Sequence, residues 1–143
     1  DDGRFTVLPD LHPYFEAHPG EIEKFCMFFG SKELASEVLP QLAAIPGVEA
    51  TQGSPDNVEA TAAGVNKGTA LLALAGQLGI PQAQVPAVGD SENDRKMLEA
   101  AGVAAVMANG MPSIQSLADI VSEQDCNHDG VAELFSRLGL TGL

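Results

Sequence analysis

Apolar and polar positions follow two rhythms along this chain. From residue 67 to 78, Ala70, Leu71, Leu72, Leu74, Ala75 and Leu78 recur at helical spacing, and Gly79 supplies a stop. Beyond it the pattern predicts strand 84–88, helix 92–101, strand 103–107, helix 112–117, a short strand 119–121 and helix 130–138. Strands alternating with helices imply βαβ units and a parallel sheet. Strand 103–107 is apolar throughout, as a strand covered on both faces should be. The earlier stretch reads differently. Glu21 to Phe29 is strand-like and is stopped by Gly30. Ser31 is a candidate N-cap for a stripe of Leu34, Ala35, Val38, Leu39 and Leu42, in which Pro40 predicts a kink or an early end. Val48 to Gln52 and Asn57 to Ala62 read as strands around the turn signal Gly53-Ser54-Pro55-Asp56. Phe25, Phe28 and Phe29 are expected to be core. Residues 1–20, with Pro9, Pro13, Pro19 and two histidines, predict no element.

Composition narrows the function classes. The 143 residues carry a net charge of −13 with only seven Lys plus Arg. Nucleic acid and anionic membranes both need basic patches, so neither is an expected partner. No apolar run approaches the about 18 residues of a membrane span. Cys26 and Cys126 lie in unrelated segments and the start carries no signal-peptide pattern, so a reduced, cytoplasmic protein is expected. His12, His18 and His128 lack the spacing of a metal site.

The chemistry concentrates at Gly89-Asp90-Ser91-Glu92-Asn93-Asp94. This run follows a predicted strand and opens a predicted helix, the place where open α/β sheets bind ligands. Asp90 and Asp94 stand four apart, so one helical turn brings them near each other. Carboxylates at such a turn suit a hard cation such as Mg²⁺, although acidic residues also simply favour helix starts, with Asp90 or Ser91 as N-cap. Upstream, Lys67 stands at the start of a helix pattern, where the dipole favours anions, and a bound anion would explain its position.

Gly64-Val65-Asn66-Lys67-Gly68-Thr69-Ala70 and Gly89-Asp90-Ser91-Glu92-Asn93-Asp94-Arg95-Lys96-Met97-Leu98 resemble motifs of the haloacid dehalogenase (HAD) superfamily, in its Cof-type sugar-phosphatase-like branch. Ala104 to Gly110 resembles a further strand and turn of that family, with Ala108 where glycine is usual; Ala118 to Val121 and Asp129 to Ala132 resemble its closing segments. The resemblance is strong over residues 57–138 and looser over 21–56. It implies an α/β fold: residues 1–62 as part of an α+β cap domain, and residues 63–143 as the C-terminal part of a Rossmann-like core. It also implies roles. Asp90 would be a Mg²⁺ ligand, with Asp94 supporting the metal's water shell or Asn93. Asn93 would orient phosphate and Asn109 would contact substrate. Lys67 would neutralise the phosphoryl oxygens and the attacking aspartate. Phosphoryl transfer asks for these types because it is mainly positioning and charge stabilisation.

The family's nucleophile lies in an Asp-x-Asp motif after an apolar strand, and this chain offers no match. Asp1-Asp2-Gly3-Arg4 has no strand before it; in Phe5-Thr6-Val7-Leu8-Pro9-Asp10-Leu11-His12, His12 stands where the second aspartate belongs. The expectation is therefore the C-terminal portion of a Mg²⁺-dependent phosphatase acting on small phosphate esters, of sugars above all, through an aspartyl-phosphate. By itself the chain is expected to be inactive. Strand 84–88 would then be left as an open edge, so a homodimer or the N-terminal part of the same protein is expected to cover it. The alternative is a non-catalytic acidic α/β module that binds Mg²⁺ or an anion or docks to a partner.

Overall fold

In a computed structural model that describes residues 6–140, the chain forms two three-stranded sheets. The first holds β1 (Phe25–Phe28), β2 (Val48–Thr51) and β3 (Asn57–Ala62), antiparallel in the order β1-β3-β2. Between β1 and β2 runs α2 (Lys32–Ala43), which packs against β2 and β3. Its N-cap is the predicted Ser31, whose hydroxyl accepts the Leu34 amide at 3.2 Å. Pro40 lies within α2 without ending it at once: it forgoes the bond to the Ser36 carbonyl, and the helix stops three residues later, at Ala43.

Alternation gives this sheet one apolar and one polar face. Val58 and Ala60 are buried. Glu59 and Thr61 point the other way, opposite Thr51 and Glu49 of β2 in the antiparallel register. β1 is shorter than the predicted 21–29, since it pairs only where Phe25 to Phe28 meet Asn57 to Ala60. Two of its phenylalanines are not the expected core: Phe25 is 41% exposed and Phe28 72% exposed. A short helix that the sequence did not predict, α1 (His12–Ala17), begins around Pro13 and brings Phe15 edge-on to Phe25 at 5.2 Å.

The second sheet is parallel, β4 (Pro86–Gly89), β5 (Val103–Val106) and β6 (Ile120–Val121), in the order β4-β5-β6. α3 (Lys67–Leu78) keeps its predicted bounds and packs on α4 (Arg95–Ala100). Short α5 (Pro112–Gln115) precedes β6, and α6 (Gly130–Arg137) follows it. β5 is central and divides the core. Ala104 and Val106 pack with Ala87, Leu98 and Ile114 on one face, while Ala105 and Met107 pack with Leu134 on the other. This parallel α/β arrangement is the predicted Rossmann-like core.

Both elements that frame the acidic turn start later than predicted. The predicted strand 84–88 begins two residues late because Gln82–Gln84 form a 3-10 turn, and Pro86, which cannot donate to a ladder, opens the strand. The predicted helix 92–101 begins as a 3-10 turn, Glu92–Asp94, before α4 proper. β4 is an edge of its sheet among the described residues. An apolar groove of about 400 Å³ lies along it, lined by Pro86, Ala87 and Val88 together with Leu71 and Phe135.

Candidate active site

The site forms where β4 ends and where α3 begins. Gly89 closes β4, and the turn Asp90–Asp94 folds back so that the Asp94 side chain covers it. A Cβ at Gly89 would stand 2.6 Å from the Asp94 Cβ, so only glycine leaves room for the carboxylate. Asp94 is 4% exposed, and both of its oxygens are engaged. Oδ2 accepts the amides of Asp90 at 3.0 Å and Ser91 at 3.4 Å. Oδ1 accepts the Lys67 ammonium at 2.5 Å. The lysine that opens α3 thus has a protein carboxylate as its anion.

Lys67 is delivered by a firm helix start. Asn66 caps α3, its side chain accepting the Thr69 amide at 3.0 Å while the Thr69 hydroxyl accepts the Asn66 amide at 3.2 Å. The Asn66 carboxamide also donates to Glu49 of β2 at 3.1 Å, which ties the cap to the first sheet. Lys67 reaches Asn93 Oδ1 as well, at 3.3 Å, and the Ser91 hydroxyl donates to the same oxygen at 2.9 Å. The structure therefore brings Lys67, Asn93 and Asp94 together, with Asp90 beside them at the end of the strand.

Charge at this turn is uneven. Partial desolvation, and then the nearby charge and hydrogen bond of Asp94, push the Asp90 carboxyl above the ordinary aspartate value; the Lys67 charge offsets part of this. Burial pushes Asp94 the same way, but the Lys67 ammonium and the two backbone amides outweigh it and hold Asp94 below the usual carboxylate range. A carboxylate held low in the folded state stabilises the fold above its unfolded value of about 3.9, and that contribution is lost as pH falls through the lower, folded value. Acid unfolding of this chain is thus expected to steepen below about pH 4. Asp94→Asn should flatten that limb, as followed by circular dichroism; an unchanged acid limb would mean that other carboxylates govern it.

Asn109 is placed at the same end of the sheet but apart from this cluster. Its Oδ1 accepts the Cys126 amide at 2.9 Å and so ties two loops together. Its loop is still coupled to the turn, because the Met111 amide donates to the Asp90 carbonyl at 2.8 Å.

Two contributors escaped the sequence reading. Ser91 is 7% exposed and orients Asn93; it stood within the motif but was read only as a cap. Gln52 lends its carbonyl to the Asn93 amide at 3.0 Å, which joins the first sheet to the acidic turn. Buried Asn57 holds that loop by accepting the amides of Gly53 and Ser54 at 3.0 and 2.9 Å. A side-chain oxygen that folds a turn over itself is a standard use of Asn, and Asn57 was the available signal.

As a cation site, the turn offers one exposed carboxylate, Asp90, and a second, Asp94, whose oxygens are already engaged. Among the described residues no group of three or more His, Cys, Asp or Glu gathers as a metal cage. One or two carboxylates plus substrate oxygens and water are what Mg²⁺ uses in phosphoryl-transfer sites. The donor set fits that ion.

Comparison with known proteins identifies the family. The haloacid dehalogenase-like hydrolase family matches residues 6–135. A 5-amino-6-(5-phospho-D-ribitylamino)uracil phosphatase from Bacillus subtilis is 34% identical over 110 residues, which cover 77% of this chain and 44% of that protein. Among solved structures, a HAD-superfamily phosphatase from Bacteroides thetaiotaomicron superposes with a TM-score of 0.74 at 30% identity, covering 92% of this chain and 46% of that one. A HAD subclass IIB sugar phosphatase superposes with a TM-score of 0.73 at 26% identity, over 89% of this chain and 47% of the other. The chain spans less than half the length of these relatives. A strand-end acidic turn locked to the first lysine of the preceding helix, and a family match over nearly the whole length, lead to one conclusion: this chain belongs to the HAD-like hydrolases, in their Cof-type branch.

Proposed function

We propose that the chain is the C-terminal portion of a Mg²⁺-dependent, cytoplasmic phosphatase that hydrolyses small phosphate esters, sugar phosphates first among them, through an aspartyl-phosphate. Residues 1–62 are its partial cap and residues 63–143 its core portion. The observation that carries this reading is the Lys67–Asp94 contact at the end of β4, with Asn93 bridged to the same ammonium. A cation and a carboxamide fixed side by side form a cradle for phosphoryl oxygens.

Asp94 holds Lys67 in place beside Asn93. Lys67 and Asn93 then stabilise charge on the transferring group, with Asn109 as a candidate contact from the neighbouring loop. Asp90 would hold the Mg²⁺, with Asp94 behind it. The ion would supply charge neutralisation and orientation at the phosphoryl oxygens. None of these residues is an activated nucleophile, so the 143-residue chain alone should not turn over p-nitrophenyl phosphate. A further segment of the same protein would supply the nucleophile, whereas a second copy along β4 would cover that edge alone.

The test is Asp90→Asn in the longer protein that contains this chain. Loss of one such electrostatic group is expected to lower Mg²⁺-dependent turnover by about 10²-fold or more, with the fold retained by circular dichroism. Full activity at saturating Mg²⁺ would overturn the assignment.

A further inference from the structure

We infer, on the reading of Lys67 and Asn93 as the phosphoryl cradle, that Glu49 of β2 is a positioning residue for it: the Glu49 carboxylate locks the joint between the first sheet and α3, and so sets where Lys67 stands. Residues 63–66 alone join β3 to α3. Three hydrogen bonds from this joint converge on the Glu49 carboxylate. The Asn66 side-chain amide donates to Oε1 at 3.1 Å and to Oε2 at 3.2 Å, and the Gly64 backbone amide donates to Oε2 at 3.1 Å. Glu49 stands 17 residues before Asn66, on a different strand from the one that leads into the joint. The clamp is therefore a tertiary contact, and the joint is fixed to the sheet rather than free to hinge.

The carboxylate also decides which way Asn66 faces. A carboxamide carries an acceptor oxygen and a donor nitrogen, and capping α3 requires the oxygen, which accepts the Thr69 amide at 3.0 Å. Glu49 accepts only, so it holds the nitrogen and leaves the oxygen to the helix. Lys67 follows directly and meets Asp94 and Asn93 from this fixed start. It is thus held twice, at its ammonium by Asp94 and at its backbone by way of Glu49. Among the described residues the Glu49 side chain bonds to none of Lys67, Asn93 and Asp94, so its influence on the cradle passes through Asn66. A lysine at a helix start opposes the helix dipole. The negative charge that Glu49 places beside that start offsets the conflict.

The test is a polarity swap in the ¹⁵N-labelled 143-residue chain, titrated with inorganic phosphate at constant Mg²⁺ and followed by NMR. Glu49→Gln leaves one acceptor oxygen for three bonds and sets an amide beside the donors. Asn66→Asp keeps an equally good cap for α3 but sets carboxylate against carboxylate. Each is expected to weaken phosphate binding about tenfold and to move the Asn93 and Asp94 amide signals before any phosphate is added. In the double variant the glutamine oxygen keeps the Gly64 amide, and its nitrogen donates to the new carboxylate. Affinity should then return to within about twofold of wild type, and the Asn93 and Asp94 signals should return with it. A lesion that merely loosened the fold would grow worse in the double variant. Additive losses overturn the inference, as do single variants that bind phosphate like wild type with those two signals unmoved. Phosphate that fails to bind the wild-type chain overturns the cradle reading instead. The unliganded Asn93 and Asp94 signals then decide the joint by themselves: recovery in the double variant supports it and additive displacement overturns it.

Discussion

Replacing Asp94 with alanine is expected to lower the unfolding free energy of this chain by about 2–3 kcal/mol, read as a drop in the urea midpoint. Three donors would lose their acceptor together. The Ser91 amide is buried and the Asp90 amide partly so, and an unsatisfied buried amide loses its hydration without compensation. The Lys67 ammonium would lose its closest partner, at 2.5 Å. Because the Lys67 side chain is 48% exposed, water recovers part of that loss, which keeps the figure below that of a fully buried pair. The cavity left beside Gly89 adds to the cost. Asp94→Asn retains most of the volume and one acceptor, so it should fall between wild type and alanine. A midpoint that does not move in the alanine variant would show that the turn is held by something other than this carboxylate.

Gly68→Ala is the second large effect. Gly68 lies in the first turn of α3, where that helix meets α4. A Cβ there would stand 2.3 Å from the Lys96 carbonyl oxygen, a backbone atom that cannot swing aside as a side chain can. Alanine ordinarily favours helix over glycine by about 0.5–1 kcal/mol, so an open position would gain stability. Here overpacking reverses the sign, with an expected net loss of about 1–3 kcal/mol. The start of α3 must also move away from α4, which carries Lys67 away from Asp94. Thermal unfolding reads the first consequence, and the NMR shifts of Asn93 and Asp94 read the second. An alanine variant as stable as wild type, with those shifts unchanged, would show that the two helices tolerate the methyl group.

The parts of this fold that depend on local pattern were legible in the sequence. α3 has an N-cap, an apolar stripe and a terminal glycine, and it runs between its predicted bounds. The apolar run that became β5 and the strand-turn-helix at Asp90 were equally plain. What failed depended on neighbours distant in sequence. β1 stops where β3 ceases to pair with it, and Phe28 is exposed because no described element covers it. α1 buries no residue, so it left no stripe; its signal was Pro13 near its start. At the site, Lys67 and the acidic turn could be paired through family resemblance, but the anion expected beside the lysine is Asp94 itself. The contribution of Gln52 was invisible because it is made by a backbone carbonyl, which no residue type encodes.

That carbonyl has a kinetic consequence. The hydrogen bond from the Asn93 amide crosses from the acidic turn to the end of β2, while the adjacent Asp94 amide bonds within the turn, to the Ser91 carbonyl. Any swing of the first sheet away from the turn must free the Asn93 proton and can leave the Asp94 proton protected. Hydrogen–deuterium exchange at these two neighbouring amides therefore forms an internal gauge: equal rates report local fraying of the turn, whereas faster exchange at Asn93 alone reports how often the sheet lifts from it.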